Sequence, residues 1–211
     1  MPRPRAAYPA QVSDFVIGLA SWVLQDGGYD DFTTGSTERF AVEMAYTDNL
    51  GPTHDTARLR CDSVDGFRYD VVGEVVADAE GTVVDIGRIR VFTGFQLEHL
   101  PHRRVGDRLT GQITLFVDSG VTRLERMPPL TYTWTIDKIE LNVTTRVWLR
   151  PGDPGYPKTV RPGPLIGVVA DDAQQWRVIN RTRMWKDEED SIAGGYRLHC
   201  TLLPDPPTQR I

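Results

Sequence analysis

Only two cysteines, four histidines and three lysines occur in this 211-residue chain, and each scarcity removes a class of explanation. Cys61 and Cys200 lie far apart and show no metal-ligand spacing, so neither a zinc module nor a disulfide framework organises the fold. A reduced, cytoplasmic chain is the expectation. No apolar run approaches the length of a membrane span. The phosphate cradles G-x-x-x-x-G-K-[ST] and G-x-G-x-x-G are missing, and so is the G-x-S-x-G elbow that presents a nucleophilic serine. Neither a cofactor nor a metal is expected, and nothing in the sequence marks a catalytic residue.

The abundant residues point the other way, toward a sheet. Val, Ile and Thr number 21, 10 and 20, against 16 Leu and 12 Ala. Branching at Cβ restricts side-chain rotation in a helix and packs well on a pleated surface. The 19 glycines and 15 prolines fit a chain with many turns, since glycine supplies positive φ and proline pre-sets the turn corner. Arginine accounts for 21 of the 24 basic residues, a skew that points to a GC-rich bacterial genome.

Alternation of apolar and polar positions marks the strands. The apolar stretch 15–24 follows Arg3 and Arg5 as a leader's core would, but Asp14 abuts it and no small-residue cleavage pattern follows, so it reads as the first strand. Further strands are expected at 38–46, 69–77, 82–92, 109–118, 131–149 with a bulge near Lys138, 174–185 and 195–203. Short helical connections are expected at 121–127 and 168–175. Residues 1–12 read as a flexible arm, 13–203 as a single β domain, 151–164 as a loop with five prolines and three glycines, and 204–211 as a tail. The expected class is all-β, an antiparallel barrel or sandwich with short helical connections.

Between residues 69 and 118 the order of short motifs is Val71-Val72-Gly73-Glu74-Val75, Val83-Val84-Asp85-Ile86-Gly87, Gly94-Phe95-Gln96-Leu97-Glu98-His99, Val105-Gly106-Asp107 and Val117-Asp118. This order resembles the OB-fold barrel, in particular an RNA-binding subgroup first named in a ribosomal protein. The resemblance covers about a quarter of the chain. It departs from that subgroup at Thr82, where an aromatic residue usually stands. What it implies is a barrel whose surface strands contact nucleic acid.

Candidate ligand-contacting residues are Arg88 and Arg90 on a strand-like segment, and His99, His102, Arg103 and Arg104 in the densest polar cluster. Tyr132 and Trp134 join them, since rings at a barrel mouth near basic residues can stack on bases. Arg58-Leu59-Arg60 is a further basic segment. Glu98, His99 and His102 lack the third and fourth ligands a metal site needs. The carboxylates in Asp26-Gly27-Gly28-Tyr29-Asp30-Asp31 lack the spacing of a calcium loop.

These features lead to a non-catalytic protein-interaction role, of the kind an acidic immunity protein performs. A protein partner is expected first. Nucleic acid is disfavoured by the net charge of −5, because phosphate neutralisation drives most of that affinity. OB-type nucleic-acid binding and a small-molecule barrel with lyase or isomerase-like activity are the alternatives. Unprotected edge strands also leave pairing between two copies open.

Overall fold

The computed structural model describes residues 14–54, 58–78, 81–93, 104–118, 130–143, 146–149, 166–169, 175–183 and 195–204, with backbone alone at 45–49, 146–149 and 166–169. Among the described residues strand accounts for 64% and helix for 4%, in keeping with the β-branched composition. In chain order the elements are β1 (Phe15–Leu19), α1 (Ser21–Gln25), β2 (Thr37–Pro52), β3 (Arg60–Asp65), β4 (Arg68–Ala77), β5 (Thr82–Asp85), β6 (Arg90–Thr93), β7 (Arg108–Val117), β8 (Thr131–Asn142), β9 (Arg146–Leu149), β10 (Ile166–Val169), β11 (Trp176–Ile179) and β12 (Tyr196–Leu202). Among the described residues no helix is long and apolar enough to cross a membrane.

Ten of these strands form one sheet that closes into an eight-strand barrel, through the circuit β2-β8-β12-β1-β7-β4-β5-β6 and back to β2. The pairing is mostly antiparallel, as the all-β expectation has it, with two parallel contacts. β2 runs parallel to β6, and β1 meets β7 in parallel at Gly18 and Phe116. β2 and β7 also pair directly, from Val42 opposite Val117 to Pro52 opposite Leu109. Each of these two strands therefore shares its other edge between two neighbours. Along β2 that edge passes from β8, at residues 37–41, to β6, at residues 43–44. Along β7 it passes from β4 to β1.

Such a handover strands backbone groups between two ladders, and buried N–H and C=O groups need partners. Tyrosine hydroxyls supply them. Tyr69 of β4 accepts from the Val16 amide at 2.6 Å and donates to the Val16 carbonyl at 3.1 Å, joining β4 to β1. Tyr132 of β8 accepts from the Arg90 amide at 2.7 Å, joining β8 to β6. β8 hands over in turn from β2 to β11, and there the Ile136 amide donates to the Ser36 carbonyl at 3.0 Å and its carbonyl accepts from the Gly35 amide at 2.7 Å. Beyond β11, Tyr196 of β12 accepts from the Arg183 amide at 3.2 Å and donates to its carbonyl at 3.3 Å.

A cluster of rings sits within the largely aliphatic interior. Trp134 is fully buried, stacks on Phe40 with centroids 5.4 Å apart, and meets Phe15 edge-on at 5.5 Å. Its indole N–H donates to the Phe40 carbonyl at 3.2 Å. Phe32 extends the stack onto Phe40 at 5.5 Å. Offset and edge-to-face geometries of this kind suit the ring quadrupoles.

Several sequence-level boundaries change. The stretch 15–24 divides into β1 and α1, and 82–92 divides at Gly87, whose φ of 95° turns the chain between β5 and β6. β2 runs on to Pro52 through residues expected in a loop, held there by β7. β3 is an added hairpin partner of β4 at positions expected to be loop. The bulge near Lys138 is present: Ile136 faces Cys200 and Lys138 faces His199, with Asp137 as the extra residue. The expected arm at 1–12, the helix at 121–127, the loop at 151–164 and the tail from 205 lie outside the described residues. At 168–175, positions expected to be helix, residues 168–169 belong to β10 and Gln175 leads into β11, its carbonyl accepting from the Val143 amide at 2.9 Å; residues 170–174 lie outside the described residues.

The Tyr69 hydroxyl gives the first test. Tyr69→Phe keeps the ring and leaves both Val16 groups unpaired, so unfolding in urea should show a loss of about 1–3 kcal/mol. Amide exchange at Val16 should accelerate.

Candidate functional site

The turn between β5 and β6 builds a basic cleft. The Gly87 amide donates to Asp85 Oδ1 at 2.8 Å, which fixes the turn. A Cβ at Gly87 would come within 2.9 Å of the Leu59 carbonyl oxygen, so the positive φ and the close approach both call for glycine here. This approach lays residues 58–60 across the turn and brings Arg58, Arg60 and Arg88 around one cavity of about 500 Å³. Two basic segments nearly thirty residues apart in sequence thus become a single surface.

Each arginine is held differently. Arg88 Nη2 lies 2.8 Å from Asp14 Oδ2, and its guanidinium sits over the Phe15 ring at 5.1 Å. Arg60 Nε is 3.5 Å from Asp62 Oδ2, with both side chains more than half exposed. Arg58 is exposed at the rim. Exposed pairs of this kind are weak, so the guanidinium groups remain available to an incoming anion. The geometry suits carboxylate or phosphate, which the planar guanidinium engages through two parallel N–H donors.

Cys61 lies on the same wall. Burial pushes its thiol up to about 12, Asp62 adds to the rise, and Arg88 partly opposes it. At neutral pH the group is a neutral thiol, which is a poor nucleophile and a poor metal ligand. Among the described residues no group of three or more His, Cys, Asp or Glu side chains is placed to hold a metal ion.

The other candidate residues separate. Arg90 is committed to Asp85, Nε to Oδ2 at 3.3 Å, on the neighbouring strand. Tyr132 spends its hydroxyl on the barrel seam. Trp134 corrects the expectation of a ring at the mouth: it is 0% exposed, both stacked and hydrogen-bonded in the core, and offers no free face. Arg104 lies on the turn before β7, where its amide donates to Asp107 Oδ2 at 2.7 Å, and it is not part of the cleft wall. His99, His102, Arg103 and Glu98 lie outside the described residues. Arg58 and Arg60 were visible as a basic pair, but nothing local in the sequence tied them to Arg88. The tight Gly87 turn was the one available hint.

On the outer face of β8 and β12, Glu140 accepts from Lys138 Nζ at 2.9 Å and lies 2.9 Å from His199 Nε2. Burial pushes the Glu140 carboxyl up, but these hydrogen bonds outweigh it and hold the group below the usual glutamate range. Comparison with protein families, with curated proteins and with solved structures finds no match to this chain, so the functional reading rests on its geometry.

Two measurements check these environments. With a thiol pKa near 12, alkylation of Cys61 by iodoacetamide at pH 8 should run at least about a hundredfold slower in the native protein than in the unfolded chain. It should rise with pH, and Arg88→Ala should slow it further. For Glu140, a lowered folded-state pKa means stability that is present above the unfolded value of about 4.3 and lost as pH falls through the folded one. The double variant Lys138→Met, His199→Leu removes both hydrogen bonds and leaves burial largely unopposed, so the acid limb of the urea-measured stability profile should move to higher pH.

Proposed function

We propose that this chain is a non-catalytic binding protein that captures an acidic segment of a partner protein in the Arg58, Arg60 and Arg88 cleft and along the neighbouring β3. One observation carries the reading: three arginines from distant segments converge on a cavity of about 500 Å³ beside a sheet edge. Among the described strands β3 pairs only with β4. Its other edge offers backbone donors and acceptors for strand addition, while side-chain pockets beside such an edge select the partner. Carboxylates on the added segment would meet the guanidinium groups, and electrostatic complementarity of this kind raises specificity and association rate. Both cysteines are free thiols, in keeping with a reducing compartment such as a bacterial cytoplasm.

A second reading is nucleic-acid binding. The smaller circuit β4-β5-β6-β2-β7 is a three-strand meander closed by one parallel pairing, compatible with an OB-like barrel, and Arg88 and Arg90 lie on its β5–β6 hairpin. The acidic net charge and the Arg90–Asp85 pair count against it.

The test is to purify the tagged chain from its native host without nuclease, beside the Arg58→Glu, Arg60→Glu double variant. A stoichiometric protein should co-elute with the parent and fall at least about tenfold in the variant, with melting unchanged. A raised 260/280 absorbance ratio that collapses in high salt would overturn this in favour of nucleic acid. Recovery of the same partner by both chains would place the interface elsewhere.

A further inference from the structure

A second cavity lies at the other end of β1. That strand runs from Phe15, beside Asp14 and the arginine cleft, to Leu19, which pairs with Tyr196, roughly 15 Å away. Around Tyr196 the strands β11, β8 and β12 set Arg177, Leu141 and Tyr196 in one cross-strand row, because Leu141 is the register partner of both. Side chains in such a row share a face of the sheet. The adjacent inward row, Ile179, Ile139 and Leu198, is wholly apolar. Arg177 therefore stands on the core side of the sheet, where the barrel pattern would place an apolar residue.

The space it faces is a cavity of about 580 Å³ with Leu141, Ile179 and Tyr196 as apolar surface. That volume is within the range of roughly 300–1,000 Å³ that small-molecule sites occupy. Its walls are fixed before any ligand arrives. The Thr182 amide donates to the Phe32 carbonyl at 2.9 Å, the Phe32 amide donates to Thr182 Oγ1 at 2.8 Å, and the Thr34 amide donates to the Asn180 carbonyl at 2.8 Å. Tyr196 holds Arg183 by both backbone groups. Asp31 is the one carboxylate among the described lining residues, and its two oxygens are taken by Arg181 Nε, at 3.5 Å, and Thr182 Oγ1, at 3.2 Å. Arg181 is thus balanced within the wall; Arg183 also lines it, and Arg177 brings, from the core side of the sheet, a cation that this carboxylate does not engage.

An apolar floor with a guanidinium on its wall specifies a ligand with two parts. We propose that this barrel mouth is a binding site for a small amphiphilic anion, whose apolar body lies on Leu141, Ile179 and Tyr196 and whose carboxylate, sulfonate or phosphate head is held by Arg177. Polar groups placed singly in an apolar pocket fix ligand orientation in this way. The site is independent of the partner cleft and does not require that reading to hold.

The probe is 1-anilinonaphthalene-8-sulfonate, followed by fluorescence and by calorimetry, with decanoate as competitor. The parent should bind it saturably at one site per chain, and decanoate should displace it. Arg177→Glu should weaken binding by about tenfold or more, and Arg177→Gln, which keeps the size and removes the charge, by a smaller factor. Arg177 is exposed on a short edge strand, so both variants should melt at the parent's temperature. The neutral analogue N-phenyl-1-naphthylamine should bind parent and variants alike, and the Arg58→Glu, Arg60→Glu protein should bind the sulfonate as the parent does. Unsaturable binding, equal affinity in parent and both Arg177 variants, or loss in the Arg58, Arg60 variant would overturn the assignment.

Discussion

The structure depends on a hydrogen-bonding constraint at the seams of the sheet. β2, β7 and β8 are long enough to serve two neighbours along one edge, and at each change of neighbour a backbone group would be left without a ladder partner. Tyr132 and Tyr69 meet this constraint at β2 and β7, and at β8 the Ile136 groups are met by the Gly35 amide and the Ser36 carbonyl. A phenol suits the position because its ring packs as a core residue while its hydroxyl both donates and accepts. Burial raises the Tyr69 hydroxyl well above its ordinary range, which keeps the proton that it donates to Val16.

Tyrosine hydroxyls also place the two cavities. The Tyr69 seam fixes the start of β1, hence Asp14 and Phe15, against which Arg88 rests. The Tyr196 hydroxyl fixes Arg183 in the wall of the second cavity. Between the two ends, Arg197 of β12 lies over the Trp176 ring at 3.8 Å and over the Phe67 ring at 5.2 Å, tying the β3–β4 turn to β11 across the outer surface. Stacked guanidinium groups of this kind combine cation–π attraction with packing.

How far the sequence discloses this depends on the range of the interaction. The clean alternation of Leu109, Ile113, Leu115 and Val117 is a local property, and β7 forms where the pattern places it. The bulge at Asp137 was legible for the same reason, as a break in local phase. The split at Gly87 was harder, because a short apolar run reads alike as one long strand or two short ones. Trp134 illustrates the limit for the site. An aromatic residue in a strand has the same signature at a rim as in a core, and only the distant Phe40 and Phe15 decide. The union of Arg58, Arg60 and Arg88 is set by a close approach of two turns, which no periodicity encodes.

The register partnership of Phe15 with Cys200 has a kinetic meaning. The first and last strands of the circuit are neighbours, so the ring stays open until nearly the whole described chain has been made. During synthesis β1 and β8 wait with unpaired edges, and the Trp134 stack lacks one wall. Closing so long a loop costs entropy before any contact repays it, which makes such a topology slow to fold and dependent on protection while it waits. A chain cut short before Tyr196 retains the arginine cleft residues but lacks the strand that joins β1 to β8 and closes the barrel.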